Sequence, residues 1–403
     1  MAIELSTIVQ GVEPSATLAM SAKAKELKML GQTVYDLSLG EPDFVTPQHI
    51  CEAAVDALEA GHTKYTVSSG IPELKNAIAS KYQADYGHKA DYGLQYTPAQ
   101  VVVSNGAKHA LHNAFFSTLN PGDEVIIPAP YWVSYIELVK LSGAIPVIVS
   151  TEESQNFKMS AEQFERALTP KTRMLVLCSP SNPTGAVYCR SELEAIAEVI
   201  LKHNLLVLAD EIYDKLIYNK SEYVSFPTLH PDLQDRTIVV NGVSKTYAMT
   251  GWRIGWTLSP AGVAQKMGEL QSQQTSNPCT ISQYAALSAL TGSQDCVVSM
   301  HAAFMERRDY IARRIAAIEG LSCPQMDGAF YAFFNIKKFL GRKLGGVQID
   351  NSEQFCLELL TQKQVATVMG SAFGCEGYVR ASFAASLEIL KESFDRIEAF
   401  VCE

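Results

Sequence analysis

The sequence contains no Cys-x-x-Cys pair, although nine cysteines occur among its 403 residues. A metal or redox site built from paired cysteines is therefore not indicated. The cysteines are scattered and odd in number, so we interpret most of them as small buried apolar residues of a reduced, cytoplasmic protein. No apolar run approaches the ~18–20 residues of a membrane helix, and the N-terminal region lacks the apolar core of a signal peptide. A membrane partner is not expected.

An excess of positive charge is also missing. The chain has 43 acidic and 33 basic residues and a net charge of −10, so no nucleic-acid partner is expected. No glycine-rich dinucleotide or P-loop motif follows a predicted strand. His109 and His112 lie one helical turn apart, but no further ligand completes a metal site, and we predict no metal.

The composition is that of a globular protein, with 47% hydrophobic and 19% charged residues. Short aliphatic runs that read as buried strands alternate with segments of helical periodicity. This alternation predicts an α/β fold with a mostly parallel sheet. The predicted strands are Val101–Val103, Glu124–Ile127, Arg173–Leu177, Leu205–Ala209, Thr237–Val240 and Ile254–Trp256. The predicted helices are Pro72 to about Tyr86, Ala107 to about Leu119, Ser191 to about His203 and the stretch after Pro260.

Three parts of the chain are expected. Residues 1–45 form an N-terminal segment that packs with a small domain, and within it Ser15–Leu30 is a predicted helix with Leu18, Ala22 and Leu27 on one face and Gly31 as its C-cap. Residues 46–294 form the large domain. Residues 295–403 form the smaller α+β domain, which contains a long charged helix, a strand at Ala329–Phe334 and a final helix from about Ser386.

Polar residues follow four of the predicted strands directly. Because ligands of open α/β sheets collect at the carboxyl ends of strands, we expect these residues to converge on one pocket. They are residues 104–108 (SNGAK), 179–185 (SPSNPTG), 210–213 (DEIY) and 241–245 (NGVSK).

Residues 242–255 (GVSKTYAMTGWRIG) resemble, over their whole length, the pyridoxal-phosphate attachment signature of class I aminotransferases. Together with 179–185, 210–213, 40–44 (GEPDF) and 378–382 (YVRAS), the similarity runs from about residue 10 to residue 400. It is greatest to the bacterial aspartate aminotransferase branch that carries PYWVSY, found here at 130–135. The resemblance implies fold-type I, with a seven-stranded, mostly parallel sheet in the large domain.

This resemblance implies a pyridoxal 5′-phosphate cofactor held as an imine by Lys245, which also moves the proton of the substrate Cα. Asp210 is the expected anion beside the pyridine nitrogen, because a fixed anion keeps that nitrogen protonated. Tyr213 and Asn182 match the positions beside the ring oxygen, and Trp132 matches the residue that stacks on the ring.

The resemblance also implies how the phosphate and the substrate are held. Gly106, Ala107 and Ser244 are expected near the phosphate with Arg253, and Tyr65 is expected to reach the phosphate of the neighbouring subunit of a homodimer. For the substrate, Arg380 is expected to bind the α-carboxylate with Gly40, Trp132 and Asn182 nearby, while Lys108, helped by Ser15 and Thr17, binds the side-chain carboxylate. This arrangement predicts aspartate and glutamate as amino donors, with 2-oxoglutarate and oxaloacetate as acceptors.

Other activities stay open at this point. An aromatic or prephenate aminotransferase and a β-eliminating lyase would share the lysine but differ in the side-chain pocket. Branch members that use prephenate tend to carry lysine immediately before the Pro-Ser pair, where this chain has Glu13, so we expect prephenate to be disfavoured. A regulatory protein that senses the cofactor would need a DNA-binding module, and no basic N-terminal region or spare length is present.

Overall fold

A computed structural model describes residues 3–14, 16–90, 92–218 and 222–402. Helices and strands alternate through the middle of the chain, as predicted. The helices are α1 (Thr7–Gln10), α2 (Ala16–Met29), α3 (Gln48–Glu59), α4 (Pro72–Asp85), α5 (Ala107–Thr118), α6 (Ser134–Leu141), α7 (Ala161–Arg166), α8 (Arg190–His203), α9 (Ala261–Gln274), α10 (Thr280–Thr291), α11 (Asp295–Ala317), α12 (Ser352–Lys363) and α13 (Leu387–Cys402). The strands are β1 (Tyr35–Asp36), β2 (Val101–Ser104), β3 (Glu124–Ala129), β4 (Ile145–Ser150), β5 (Thr172–Cys178), β6 (Leu206–Asp210), β7 (Thr237–Gly242), β8 (Gly255–Leu258), β9 (Tyr331–Asn335), β10 (Arg342–Leu344), β11 (Val347–Ile349), β12 (Val365–Ala366), β13 (Val368–Met369) and β14 (Tyr378–Ser382).

The largest sheet among the described residues has seven strands in the order β2-β8-β7-β6-β5-β3-β4. Strands β4, β3, β5, β6 and β7 are mutually parallel, and β8 is antiparallel to both of its neighbours, so the predicted mostly parallel α/β sheet is confirmed. All the residues of β2 and β7 are buried, which agrees with helices packing on both faces of the sheet.

Strand β4 (Ile145–Ser150) was not predicted from the sequence. Pro146 lies inside it and half of its residues are exposed, because it forms one edge of the sheet, beside β3. A proline is tolerated there since an edge strand leaves one row of amide groups unpaired. Its aliphatic run, Val147–Val149, is short and directly follows Pro146, so the segment did not stand out as a strand.

The carboxyl-terminal part of the chain contains a second antiparallel sheet in the order β13-β14-β9, packed with α11, α12 and α13. The N-terminal residues join its apolar core, because Met20, Ala24, Val34 and Leu37 belong to the same buried cluster as Phe334 and Phe394. Strand β1 also pairs with β12. The limits that we predicted for the three parts of the chain remain a prediction.

Helix α2 ends close to its predicted bounds, and Gly31 follows it with φ of 84° and donates to the carbonyl of Lys28. The face of α2 that packs on the core differs from the face of Leu18, Ala22 and Leu27 to which the sequence pointed. Met20 and Ala24 face the core, whereas Leu18 is 68% exposed and Ala22 is also exposed. The reason is that α2 packs against β12 and β13 through the turn that carries Met20 and Ala24, and only Leu27 of the predicted face contacts that core.

No helix within the described ranges is long and apolar enough to cross a membrane.

Candidate functional site

A cavity of about 480 Å³ lies at the carboxyl ends of β5, β6 and β7, beneath helix α2. It collects residues from all four predicted strand-end segments and from both ends of the chain. Most of the predicted site residues line it, namely Gly40, Ala107, Lys108, Trp132, Asn182, Asp210, Tyr213, Ser244, Lys245, Arg253 and Arg380. Thr17 lines it too, whereas Ser15 lies outside the described residues.

Lys245 follows β7 and is the central amine of the cavity. Its Nζ donates a hydrogen bond to the carbonyl oxygen of Gly40 at 2.5 Å. Burial lowers the pKa of Lys245 to about 8, although the nearby carboxylate of Glu41 opposes this shift. A larger fraction of the amine is therefore neutral, and nucleophilic, near neutral pH than for an exposed lysine.

Asp210 ends β6 and is 4% exposed. Its Oδ2 accepts a hydrogen bond from the hydroxyl of Tyr135 at 2.6 Å, and its Oδ1 accepts one from the amide of Ile212 at 3.3 Å. Burial raises the pKa of this carboxyl, while both hydrogen bonds and the charge of Lys245 act in the opposite direction. The ionised carboxylate of Asp210 is therefore suited to stabilise a protonated ring nitrogen.

The helix α5 begins at the edge of the cavity and directs free amide groups into it. Its N-cap is Gly106, with φ of 84°, and a Cβ atom there would lie 2.3 Å from Nη2 of Arg253. Only glycine lets the guanidinium approach this helix end. Arg253 itself has a φ of 56°, which is costly for a residue with a side chain. A helix N-terminus beside a guanidinium is a fitting site for a phosphate dianion.

Arg380 lies on β14, lines the same cavity and is 2% exposed. Its guanidinium donates to Oδ1 of Asn182 at 3.1 Å and to the carbonyl of Ser38 at 2.7 Å. Its Nε has no hydrogen-bond partner among the described residues. Since these contacts supply no negative charge, the buried cation is suited to binding a carboxylate of a ligand.

Lys108 and Trp132 form another wall. The Nζ of Lys108 lies 5.0 Å from the centroid of the Trp132 indole ring. Burial, and then the charge of Arg253, lower the pKa of Lys108. A ligand anion would offset both effects, so a second carboxylate fits at this position.

Tyr65, unlike the site residues above, does not line the cavity, and its side chain is 88% exposed on the surface. Its loop is anchored, because the hydroxyl of Thr280 donates to the carbonyl of Lys64 at 2.9 Å. The exposed ring is available to another molecule.

Several residues of the cavity were not predicted. Tyr135 contacts Asp210, the hydroxyl of Tyr331 lies 2.8 Å from that of Tyr213, and Glu41 accepts a hydrogen bond from Thr250 at 2.8 Å. Tyr135 lies inside the motif of residues 130–135 and Glu41 inside that of residues 40–44, so these motifs could have indicated both residues. Tyr331 lies in the far C-terminal part of the chain, and only the fold brings it to Tyr213.

The side chains that line the cavity fit the aldehyde, the ring nitrogen and the phosphate of pyridoxal phosphate. The amine of Lys245 suits the aldehyde carbon, the carboxylate of Asp210 suits the ring nitrogen, and the helix end at Gly106 suits the phosphate.

The two histidines on α5, His109 and His112, both contact the side chain of Gln274 through their rings.

Comparisons with known proteins agree with this reading of the cavity. The family model for aminotransferase class I and II matches residues 32–397. The chain is 46% identical over 398 residues to the aspartate/prephenate aminotransferase of Cereibacter sphaeroides, covering 98% of each chain. It is 46% identical over 399 residues to the aspartate aminotransferase of Bacillus subtilis, covering 99% of each.

Solved structures give the same result for the fold. The aspartate aminotransferase of Rhizobium meliloti superimposes with a TM-score of 0.94 at 41% identity, covering 100% of this chain and 99% of that one. The enzyme of Thermus thermophilus with maleate gives a TM-score of 0.91 at 40% identity, covering 99% of this chain and 100% of that one. The chain therefore belongs to the family of class I and II aminotransferases, whose chemistry depends on pyridoxal phosphate.

Proposed function

We propose that this protein transfers the amino group of L-aspartate to 2-oxoglutarate, giving oxaloacetate and L-glutamate, in a ping-pong reaction. The observation that carries the proposal is that the cavity around the Lys245 amine is lined by Arg380 and Lys108, two cations in addition to Lys25 and to Arg253 at the expected phosphate position. Two cations match an amino acid with two carboxylates. The relatives named aspartate aminotransferase, and the Thermus thermophilus structure with the dicarboxylate maleate, support it.

Bound pyridoxal phosphate supplies an aldehyde carbon that takes up the amino group and a ring that withdraws electrons from the substrate Cα. In our proposal Lys245 would hold the cofactor between turnovers, and its Nζ atom would carry the proton of the substrate Cα. Asp210 would present its carboxylate to the ring nitrogen. Tyr213 and Asn182 would donate to the ring oxygen, and Trp132 would provide the face on which the ring stacks.

Arg380 binds the α-carboxylate with its planar guanidinium, and Asn182 holds that guanidinium in place. Lys108 binds the side-chain carboxylate from the other wall, with Ser15 and Thr17 as helpers. Gly40 contributes a backbone contact to the substrate, and its lack of a side chain makes room for Tyr331, because a Cβ atom there would lie 2.9 Å from the Tyr331 hydroxyl. Gly106, Ala107, Ser244 and Arg253 hold the phosphate.

We further propose a cytoplasmic homodimer in which Tyr65 of one protomer reaches the phosphate site of the other. The 88% exposure of Tyr65 supports this assignment, since the ring has no role in its own protomer's cavity. Residues 46–294 and 295–403 would form the two domains, with residues 1–45 packed onto the smaller one.

A prephenate activity is the second candidate, since the Cereibacter sphaeroides and Nitrosomonas europaea relatives are named aspartate/prephenate aminotransferases. Glu13 opposes it. Its side chain is exposed, and its backbone amide donates to the carboxylate of Glu137 in the first turn of α6. In our proposal the negative charge of Glu13 disfavours a substrate with a distant second carboxylate.

The test is a panel of donors and acceptors measured with the native protein, Lys108→Ala, Lys25→Ala and Glu13→Lys. We expect kcat/KM for aspartate to exceed that for phenylalanine in the native protein. Lys108→Ala should lower the aspartate value by roughly 10–100-fold, the effect of one charge-assisted hydrogen bond, and leave phenylalanine nearly unchanged. Lys25→Ala is the control for a cation at the cavity wall. An aspartate preference that survives Lys108→Ala would refute the pocket assignment, and prephenate turnover at the aspartate level in the native protein would refute the role of Glu13.

A further inference from the structure

Tyr135 is a buried residue that the proposed function does not use. It lies in the first turn of α6 and is 2% exposed. Its hydroxyl donates to Oδ2 of Asp210 at 2.6 Å, a length typical of a hydrogen bond to a carboxylate. The ring also lines the cavity in which Lys245 lies.

The carboxylate of Asp210 needs this donor. It is buried, and the contacts that favour its ionised form are the Tyr135 hydroxyl, the amide of Ile212 at 3.3 Å and the charge of Lys245. The charge of Lys245 is not constant, because its lowered pKa of about 8 lets it release its proton more readily than an exposed lysine and because this amine takes part in the proposed reaction. The hydroxyl of Tyr135 is thus a donor to Asp210 that does not change during turnover.

The hydroxyl also stays protonated. Burial, and then the neighbouring carboxylate of Asp210, hold the pKa of Tyr135 well above its ordinary value. The adjacent thiol of Cys178 is neutral as well, because burial raises its pKa to about 12. Neither group therefore competes with Asp210 for the negative charge. Each carboxylate oxygen of Asp210 accepts one hydrogen bond from the protein, which leaves lone pairs for a ligand.

Tyr135 is tied to another part of the same site. Its ring lies 5.4 Å from that of Trp132 in an edge-to-face arrangement, and its amide donates to the Trp132 carbonyl at 3.0 Å. One turn of the chain therefore places both Trp132, on which a cofactor ring would stack, and Tyr135, whose hydroxyl orients Asp210.

We propose that Tyr135 is a positioning residue whose hydroxyl fixes the orientation and the negative charge of Asp210, and through Asp210 the electronic state of the bound cofactor. The inference rests on the proposed role of Asp210 beside the ring nitrogen. It assigns no contact between Tyr135 and the substrate.

The test compares Tyr135→Phe with the native holoenzyme in three measurements. These are the dissociation constant for pyridoxal phosphate, the midpoint of the pH titration of the visible absorbance of the bound cofactor, and the kcat and KM for aspartate. Phenylalanine keeps the packed ring and removes only the donor. We expect the dissociation constant to rise about 10-fold and kcat to fall by a similar factor with KM nearly unchanged. The midpoint should move up by about one pH unit, because a less negative Asp210 holds less positive charge at the ring nitrogen and so repels a proton at Lys245 less.

Tyr218→Phe is the matched control. Tyr218 is also fully buried, and its hydroxyl donates to the carbonyl of Ala329 at 2.5 Å, away from Asp210. This variant loses a buried hydrogen bond of the same kind, so it reports any general cost of the change. Its midpoint should equal the native one.

Asp210→Asn separates a role through Asp210 from a structural role. Adding Tyr135→Phe to Asp210→Asn should move the midpoint and the dissociation constant no further, because the charge on which Tyr135 acts is gone. A second shift of the same size in this background would overturn the proposal, as would native values for Tyr135→Phe alone. If the native protein shows no pH-dependent change of cofactor absorbance that Lys245→Ala abolishes, the proposed function itself fails, and that outcome is distinct from both.

Discussion

Arg380 is a buried cation whose hydrogen bonds go to neutral oxygens of Asn182 and Ser38. Burial lowers the pKa of its guanidinium, and the neighbouring ring of Tyr331 lies 4.5 Å from it. A ligand carboxylate is the group that would offset the cost of burying this charge. The residue-scale expectation is therefore that substrate affinity depends on the shape of the cation as well as its charge.

Replacing Arg380 by lysine tests this expectation. Lysine keeps the charge but cannot form two parallel hydrogen bonds to one carboxylate, so we predict that kcat/KM for aspartate falls roughly 10–100-fold, mainly through KM. Steady-state kinetics measures the effect. Arg342→Lys is the control, because Arg342 is exposed and packs on Phe339 away from the cavity. Equal kinetics for both variants would contradict the assignment.

Glu211 is a second buried residue with a consequence for pH. It follows Asp210, is 3% exposed, and accepts hydrogen bonds from the hydroxyl of Ser225 at 2.6 Å and the amide of Phe226 at 3.3 Å. Burial raises its pKa from 4.5 to about 8. The folded protein therefore binds a proton that the unfolded chain releases between these pH values.

Stability should consequently fall as the pH rises through this window, by up to about 1.4 kcal/mol of unfolding free energy per pH unit. Glu211→Gln removes the titrating group. We predict that the difference between its melting temperature and that of the native protein increases in favour of the variant from pH 5 to pH 8. Glu198→Gln, at an exposed position of α8, is the control. Parallel melting curves for the native protein and Glu211→Gln across that range would disprove the assignment.

At the scale of single elements, the start of α5 is the most constrained feature of the site. Gly106 combines a φ of 84° with a guanidinium where its Cβ atom would be. Gly31 at the end of α2 has the same φ of 84°, but no atom lies within 4 Å of its Cβ position. The two glycines therefore share the backbone strain of a substitution and differ in the contact with Arg253.

We predict that Gly106→Ala weakens the binding of pyridoxal phosphate by 10-fold or more, because Arg253 must leave the helix end, whereas Gly31→Ala changes stability alone. Fluorescence titration of the cofactor-free proteins measures both. The prediction is refuted if the two variants bind the cofactor equally well.

The elements also show where sequence patterns are reliable. Fully buried strands such as β2 and β7 were predicted because continuous aliphatic runs need no knowledge of neighbours. The edge strand β4 and the packing face of α2 were not, because exposure at a sheet edge and the choice of a helix face depend on what lies next to them.

At the scale of the whole molecule, the proposed dimer makes a prediction about mixed subunits. A Tyr65→Ala protomer keeps Lys245, and a Lys245→Ala protomer keeps Tyr65. If Tyr65 completes the site of its partner, one site of each hybrid dimer is native. We predict that refolding the two variants together restores aspartate turnover above the sum of the separately refolded proteins, as measured by initial rates. Activity equal to that sum would contradict a shared site.

The sequence by itself determined the chemistry, because the lysine of residues 242–255 and the polar residues that follow Val101–Val103, Arg173–Leu177 and Leu205–Ala209 are encoded in short contiguous motifs. The parallel order of strands then brings those motifs to one edge of the sheet. Only the tertiary structure decided which other residues join them. Tyr135 meets Asp210 across 75 positions and Tyr331 meets Tyr213 across 118, and no local pattern encodes such contacts because they depend on how β6 packs with α6 and β9.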